Sequence, residues 1–283
     1  MNPHRVPRLS FLSCLSAASL ALGLTGNAAR ADVWARVESA TATRLYLRGG
    51  GLWLRPLPSS KEVEMSSLEG PAELALPNGP IAGSGVSAEP NLMIAGTIGY
   101  RVWRELSVEA VLASPFTMEL KMTGTLAEMS VAPYALGNVP TGVPAFGEEL
   151  GTTKVLPPIV TAVYRFPVHP RIRPYGGAGL SYVYAYDTKI TNNVLTEVVA
   201  PKVEIDPDLA WVLQAGLDIR LWKRLYFTFD AKFVGGLDLV AEMKGLQLKV
   251  PNLPIYGEVD AGTGTAAVTV NPLVLQGGVG WDF

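Results

Sequence analysis

The sequence predicts an all-β fold, an eight-stranded antiparallel transmembrane β-barrel with long outer loops and short periplasmic turns. Three observations lead to this prediction: a period-two alternation of apolar and polar residues, an apolar composition with few charges, and an N-terminal segment that resembles a secretory signal. The chain has 283 residues, of which 48% are hydrophobic and 17% are charged. Soluble domains are usually about 25% charged, so the composition is unusual for that class.

The alternation is clearest in the stretch 210–233. Every second residue from Trp211 to Leu221 is apolar, and the pattern restarts at Leu225 after a tight turn at Lys223. Successive side chains of a strand point to opposite faces, so this period predicts an antiparallel hairpin. Each strand has about ten residues, enough to cross a membrane. The hairpin alone does not decide whether its apolar face packs on a second soluble sheet or meets lipid.

Residues 1–31 have the features of a cleaved secretory signal. Arg5 and Arg8 precede an apolar core at 9–25, and Ala-Arg-Ala at 29–31 matches a cleavage motif. A retained membrane helix is the weaker alternative, because Ser and Gly interrupt the short core. The segment 32–283 is then expected to be one barrel domain.

The exported chain has few options for stability or partners. The only cysteine, Cys14, lies in the signal segment, so no disulfide is available and lipidation is disfavoured. Without the three arginines of 1–31, 20 basic residues remain against 25 acidic ones, so nucleic acid is not expected as a partner. No later run of 18 apolar residues predicts a spanning helix. Since lipid admits only helices and closed sheets, a barrel in the outer membrane is the expected form.

Eight strands are predicted in order along the chain. They cover 43–54, 91–101, 106–116, 153–166, 172–187, 210–221, 225–233 and 265–283. Long segments rich in Pro, Ser and Gly at 55–89, 121–151, 188–208 and 240–264 are interpreted as outer loops, the last of which can extend the strands. Short turns lie between the others. This asymmetry is typical of outer-membrane barrels and places both termini in the periplasm.

Five stretches resemble the outer membrane protein W (OmpW) family, which includes the alkane-uptake porin AlkL. They read SVEAVLASPF at 107–116, KVLPPIVTAVYRF at 154–166, RIRPYGGAGLSY at 171–182, AWVLQAGLDI at 210–219 and NPLVLQGGVGWDF at 271–283. The second loop is enlarged, the fourth is altered, and the chain ends Trp-Asp-Phe where the family often ends Tyr-Arg-Phe. The resemblance implies a barrel that carries small hydrophobic molecules across the outer membrane. It also implies recognition of the last strand, ending at Phe283, by the barrel-assembly machinery.

Charged residues are expected inside the barrel near the periplasmic turns. An eight-stranded barrel is so narrow that side chains fill it or leave room for one small ligand. Four basic and four acidic side chains can neutralise one another there, which predicts a polar plug without a straight aqueous pore. The plug residues are Glu109, Arg165, Arg173, Asp218, Arg220, Asp230, Lys232 and Asp282.

Towards the outer loops the inward-facing residues become apolar. They are expected to line a channel for a hydrophobic solute: Val111, Ala113, Val155, Ile159, Val183, Ala185, Val212 and Val234. Because a charged plug blocks such a solute, we expect it to leave sideways into the bilayer. Pro157 and Pro158 lack amide donors and are the candidates for a lateral opening. Alternatively, the prolines only bend the strand and the apolar residues only fill space.

Catalysis, cofactors and metal ions are not expected. Within 32–283 the only histidine is His169, in a periplasmic turn, so a Ser-His dyad at the outer face has no base. Acidic pairs such as Asp206 and Asp208, or Glu148 and Glu149, are typical of solvated loops. We therefore favour a passive hydrophobic channel. The alternative is a structural or adhesive barrel with a closed lumen whose long loops bind external partners, and a lipid-modifying enzyme ranks last.

Overall fold

The computed structural model describes residues 44–76, 78–135, 138–253, 255 and 257–283. The predicted signal at 1–31 lies outside these residues. Helical structure in the described part is limited to one α-helix, α1 (Thr125–Glu128), and one 3-10 helix (Gly70–Leu74). The remaining regular structure is β.

Eight long strands form the centre of the molecule. They are β1 (Leu45–Arg55), β2 (Asn91–Arg101), β3 (Leu106–Ala113), β4 (Ile159–Arg165), β5 (Ile172–Ile190), β6 (Asp208–Arg220), β7 (Leu225–Gly235) and β8 (Leu273–Asp282). Each pairs antiparallel with its neighbours in sequence, and β1 pairs with β8. The sheet therefore closes on itself and has no free edge. The predicted eight-stranded antiparallel barrel is confirmed.

Tight turns join the strands at one end of the barrel. The Val102 N–H donates to the Leu106 carbonyl at 2.9 Å, and the Leu221 N–H donates to the Leu225 carbonyl at 2.9 Å. We call this end the turn end and the opposite end the loop end. Because the short connections share one end, the long connections share the other, as the sequence pattern predicted.

The two faces of each strand meet different surroundings. In β7, Phe227 and Phe229 are exposed on the outside, whereas Tyr226, Thr228 and Asp230 are buried inside. The apolar face of the 210–233 hairpin therefore covers the outer wall and does not pack on a second sheet. The polar face points into a closed interior, where its groups must find partners within the protein.

The wall continues beyond the loop end as a folded extension. Its strands are Pro58–Ser60, Glu64–Ser66, Gly79–Pro80, Ser84–Ala88, Phe116–Gly124, Tyr134–Ala135, Val139–Pro140, Glu149–Leu156, Lys202–Ile205, Leu237–Lys244, Gln247–Lys249, Glu258–Asp260 and Thr263–Val270. The interpretation of 55–89, 121–151 and 188–208 as loops is therefore wrong in part, whereas 240–264 extends the strands, as the sequence analysis allowed. Nine of the extension strands have five residues or fewer, so the period-two signal within each is too brief to recognise.

Proline or glycine separates most barrel strands from their extensions at a similar height. The separating residues are Pro56, Pro90, Pro115, Pro157, Pro158, Pro207, Gly236 and Pro272. The register survives this break between β6 and β7: Trp211 pairs with Gly235 below it, and Lys202 pairs with Lys244 above it. Among the eight barrel strands, only β5 continues from the barrel into the extension without a break, over 19 residues. The extension is therefore a continuation of the barrel wall.

Two apolar clusters fill the loop-end half of the molecule. The lower cluster lies inside the barrel and includes Val155, Val183 and Val274. The upper cluster lies inside the extension and includes Met122 and Leu246. A cavity lies between them and is described next.

Candidate functional site

An apolar cavity of about 190 Å³ occupies the loop-end half of the barrel and the base of the extension. Barrel residues such as Ile159, Val234 and Val274 form its lower wall. Extension residues such as Met65 and Met122 form its upper wall. The folded extension is therefore part of the site, because it supplies most of the residues that a bound molecule would meet.

The chemistry of the cavity is almost purely apolar. None of the described residues that line it is charged, and only Ser87, Thr153 and Ser181 carry a polar side chain. The Thr153 Oγ1 lies 2.9 Å from the Thr188 Oγ1 and so has a hydrogen-bond partner. Apolar surface of this kind favours apolar molecules. Each square ångström of apolar area that is removed from water lowers the free energy by about 25 cal/mol.

The structure brings together five of the eight residues predicted to line a channel. Val155, Ile159, Val183, Ala185 and Val234 line the cavity. The other three pack within the lower apolar cluster and are not part of the cavity wall: Val111, Ala113 and Val212. All eight point inward, as the alternation predicted, but alternation does not tell which inward residues border empty space.

Below the cavity, Glu109 is the centre of a buried polar network. Its Oε1 accepts hydrogen bonds from the Tyr46 hydroxyl at 2.6 Å and the Arg165 Nη2 at 2.8 Å. Its Oε2 accepts from the Arg48 Nη1 at 3.3 Å and the Gln214 Nε2 at 3.0 Å. Glu109 is 0% exposed. A charge buried this deeply is tolerable only because its lone pairs are satisfied by opposite charge and donors.

Two further carboxylates complete the network. The Asp218 Oδ2 lies 3.2 Å from both the Arg48 Nη2 and the Arg165 Nε. Asp230 forms an ion pair with Lys232 on the same strand. Three basic side chains thus meet three acidic ones, so the formal charges balance within this network. The structure places five predicted plug residues in this network: Glu109, Arg165, Asp218, Asp230 and Lys232.

Arg48, which was not among the predicted plug residues, belongs to the centre of the network. Its guanidinium contacts Glu109 and Asp218 and lies 4.8 Å from the centroid of the Tyr175 ring. Alternation in β1 is interrupted by Gly49, Gly50 and Gly51, so its faces were not sorted. Continuing the period of two from Leu52 back to Arg48 would have found it.

Tyrosine rings lie flat against the wall where glycine leaves room. A Cβ added to Gly99 would lie 1.9 Å from the Tyr46 ring, and one added to Gly216 would lie 2.2 Å from the Tyr175 ring. Such separations are impossible, so these positions must lack a side chain for the rings to lie there. The Tyr175 hydroxyl then reaches Asp230 and donates to its Oδ2 at 2.8 Å.

Three predicted plug residues border the buried network on its turn-end side. Arg173, Arg220 and Asp282 are half-buried at the turn end, around a small cavity of about 10 Å³. Arg101 donates to the Asp282 Oδ1 at 2.6 Å. The plug therefore has a buried layer and, next to it at the turn end, a half-buried layer. The strands end at different heights at the turn end. The inward side chains closest to the turns therefore lie at the opening of the barrel and are only half-buried.

The ladder between β3 and β4 is interrupted at the height of the cavity. Regular pairing stops at Val111–Ile159 and resumes at Phe116–Val155 in the extension. On the other side of β3, pairing with β2 stops at Ala113. Pro115 is therefore the centre of the break, and the sequence analysis did not single it out.

The two prolines predicted to form a lateral opening border this break on one side only. Pro157 lines the cavity and Pro158 is exposed on the outer wall. The Pro158 carbonyl still accepts from the Tyr182 N–H at 3.1 Å, so β4 and β5 remain joined. Leu92, Ile94 and Leu112 are strongly exposed close to the break. The weak point of the wall therefore lies between β2, β3 and β4.

The sequence of this chain matches a known protein family. The model of the OmpW family matches residues 72–283, most of the chain. This chain belongs to the OmpW family. The match includes seven of the eight barrel strands and nearly all of the extension. OmpW-family proteins are outer-membrane barrels, so the exposed apolar wall faces lipid.

This OmpW-family chain is also similar to several known proteins. The dibenzothiophene metabolism operon protein PahQ of Pseudomonas aeruginosa is 22% identical over 243 residues, which cover 84% of this chain and 95% of PahQ. The outer membrane protein OprG of Pseudomonas aeruginosa superposes with a TM-score of 0.62 at 20% identity, covering 86% of this chain and 97% of OprG. The outer membrane protein AlkL superposes with a TM-score of 0.52 at 15% identity, covering 85% and 90%. These two structures share the fold.

Other features of this OmpW-family chain concern metal ions and charge. Across the described residues, no group of three or more His, Cys, Asp or Glu side chains could hold a metal ion. No helix in the described ranges is long and apolar enough to cross a membrane. On the outside of the extension, a hydrogen bond from Lys244 at 2.7 Å lowers the pKa of the Glu204 carboxyl below its usual value.

Proposed function

We propose that this OmpW-family barrel is a passive outer-membrane channel for small hydrophobic molecules. One observation carries the proposal: an apolar cavity without charged lining lies directly above a buried network of three acidic and three basic side chains. The free energy of an apolar molecule falls when it leaves water for the cavity. It cannot pass the network, because it would strip hydrogen bonds from buried charges and replace none of them.

The path that follows from this arrangement is bent. The solute enters from the loop end, through the extension, and occupies the cavity. It then leaves sideways into the bilayer through the interrupted ladder at Pro115, Pro157 and Pro158. Phe116 and Pro157 line the cavity at this point, while Leu92 and Ile94 present apolar surface to lipid outside. Both sides of the break are therefore apolar, as a hydrophobic solute requires.

The remaining parts of the proposal concern placement in the envelope. The segment 1–31 is a cleaved signal, the turn end and both termini face the periplasm, and the strand ending at Phe283 is recognised by the barrel-assembly machinery. The protein is not an enzyme and takes no cofactor or nucleic acid.

PahQ is named for a dibenzothiophene metabolism operon. A flat, apolar heterocycle of that type fits the chemistry of this cavity.

Uptake in cells tests the channel. Cells that produce the protein should accumulate a radiolabelled medium-chain alkane or naphthalene severalfold faster than cells without it. Val183→Arg puts a charge into the cavity wall and should abolish the gain, whereas Val199→Arg, on an exposed loop, should not. Folding of both variants is checked by the heat-dependent gel shift. Normal uptake through folded Val183→Arg protein would contradict the proposal.

The alternative function is that of a structural or adhesive barrel that binds an external partner. The folded extension suits this function better than a set of unstructured loops would. Its strands give the outer surface a fixed shape that a partner could bind. This alternative predicts that replacing Met129, Tyr134 and Val139 with serine removes adhesion and leaves uptake unchanged, because these three side chains are exposed and do not line the cavity. Loss of uptake without loss of adhesion would instead favour the channel.

A further inference from the structure

Ser181 in β5 differs from the other polar residues around the cavity. It is 1% exposed and it lines the cavity. Its Oγ has no hydrogen-bond partner within the described part of the chain. Buried hydroxyl groups in folded proteins nearly always have a partner, because an unpaired one has lost its bonds to water without replacement. The Ser181 hydroxyl is therefore an unused donor and acceptor at the cavity wall, and a turn of its side chain towards the cavity makes it available to a group from outside the chain.

The position of Ser181 is the floor of the cavity. It pairs with Ile159 of β4 on one side and with Ala210 of β6 on the other, and both neighbours are buried and apolar. Two residues along β4, the Thr161 hydroxyl donates to the Gln214 Oε1 at 2.6 Å and belongs to the polar network. Ser181 is thus the last polar group before the network begins, and the network does not use it.

We propose that the Ser181 hydroxyl is a subsite for a single uncharged oxygen atom, a hydroxyl or a carbonyl, on an otherwise apolar solute. The proposal rests on the proposed function, since it assumes that the cavity binds the transported molecule. It narrows the substrate class to mono-oxygenated hydrophobic molecules. A carboxylate is excluded because no described cation lines the cavity to neutralise it.

The geometry also orients the solute. At the extension end of the cavity, Met65, Met122 and Met243 supply flexible thioether side chains that adapt to different shapes. The Ser181 hydroxyl is at the opposite end, inside the barrel. A molecule with one oxygen therefore binds with that oxygen down and its apolar body up. The same pose leaves the body beside the interrupted ladder, where Phe116 and Pro157 lie.

Equilibrium dialysis tests the subsite directly. Radiolabelled 2-naphthol and naphthalene, which share one ring system, are dialysed against the protein in lipid nanodiscs, with empty nanodiscs subtracted. Removing one hydrogen bond should weaken 2-naphthol binding about fivefold in Ser181→Ala protein. Naphthalene should bind that variant as well as the wild type or slightly better, because the unpaired hydroxyl is gone.

A matched control and a third probe separate the outcomes. Ser59→Ala removes an exposed hydroxyl of the extension that does not line the cavity, and it should leave both Kd values unchanged. 2-Naphthoate should bind the wild type at least tenfold more weakly than 2-naphthol. If 2-naphthol binds equally to wild type and Ser181→Ala while naphthalene still binds, the subsite is refuted and the channel proposal stands. If neither neutral probe binds the wild type, the cavity itself is not a solute site and both proposals fail.

Discussion

The two halves of the barrel solve the problem of a narrow interior in opposite ways. The turn-end half is filled by Glu109, Asp218, Asp230 and their basic partners, each fixed by several hydrogen bonds. The loop-end half is lined by small and branched apolar side chains that leave space. Directional bonds hold the first half in one arrangement, whereas the second half relies on nondirectional packing. Rigidity is therefore located where nothing needs to pass, and room is located where a solute is proposed to bind.

The largest effect is expected where the polar half loses its central charge. Glu109→Ala leaves Arg48 and Arg165 buried with too few acceptors, so the free energy of unfolding should fall by roughly 3–5 kcal/mol. Urea unfolding in lipid vesicles, followed by tryptophan fluorescence, measures it. The matched variant Asp282→Ala breaks a more exposed pair with Arg101 and should cost under about 1 kcal/mol. Equal losses in the two variants would show that burial does not matter here.

A smaller loss is expected from crowding the same network without removing a charge. Gly216→Ala pushes the Tyr175 ring away from the wall and so disturbs its bond to Asp230. Overpacking of this kind should reduce the free energy of unfolding by about 1–3 kcal/mol. Gly49→Ala is the control, because a Cβ there meets nothing within 4 Å. An unaffected Gly216→Ala protein would mean that the ring can settle elsewhere.

The loop-end half can be tested without changing stability much. A disulfide between Ala113→Cys and Pro157→Cys should close the interrupted ladder and slow uptake severalfold, with recovery on reduction. The described chain contains no other cysteine, so the bond is unambiguous. The control pair Ala215→Cys and Ala231→Cys staples residues that already pair within an intact ladder. If both disulfides leave uptake unchanged, solutes do not leave through this break.

The smallest effect is expected for a single proline at the break. Pro158→Ala restores one amide donor on the outer wall, but Ser114 and Pro115 still leave β3 unpaired opposite it. Uptake should therefore change by less than about twofold, and stability by under about 1 kcal/mol. A full loss of uptake in this variant, measured in the same cells, would place the whole opening at Pro158 and away from Pro115.

The sequence revealed local features better than contacts between distant residues. The bounds of β2 were predicted as 91–101, and alternation sorted Glu109, Asp218 and Lys232 to the inside, because both depend only on neighbouring residues. Arg48 was missed because three glycines hide the period of β1. Its role also depends on partners that are 61 and 170 residues away.

The extension and the cavity wall were harder to foresee. Strands such as Glu64–Ser66 have too few residues to show a period, and they exist because they add to a wall already formed below them. For the same reason Val212 and Val155 are indistinguishable by pattern, although only Val155 borders the cavity. The importance of Pro115 became apparent only when two ladders were seen to stop beside it.

The unbroken strand β5 sets the height of the molecule. At roughly 3.3 Å per residue and a tilt of about 40°, its 19 residues rise roughly 48 Å, whereas the hydrocarbon layer is about 30 Å thick. The protein is therefore taller than the layer it crosses. On the outer side of the membrane, its apolar interior begins well above the acyl chains. The boundary between water and an apolar environment is therefore displaced outward at this one point of the cell surface.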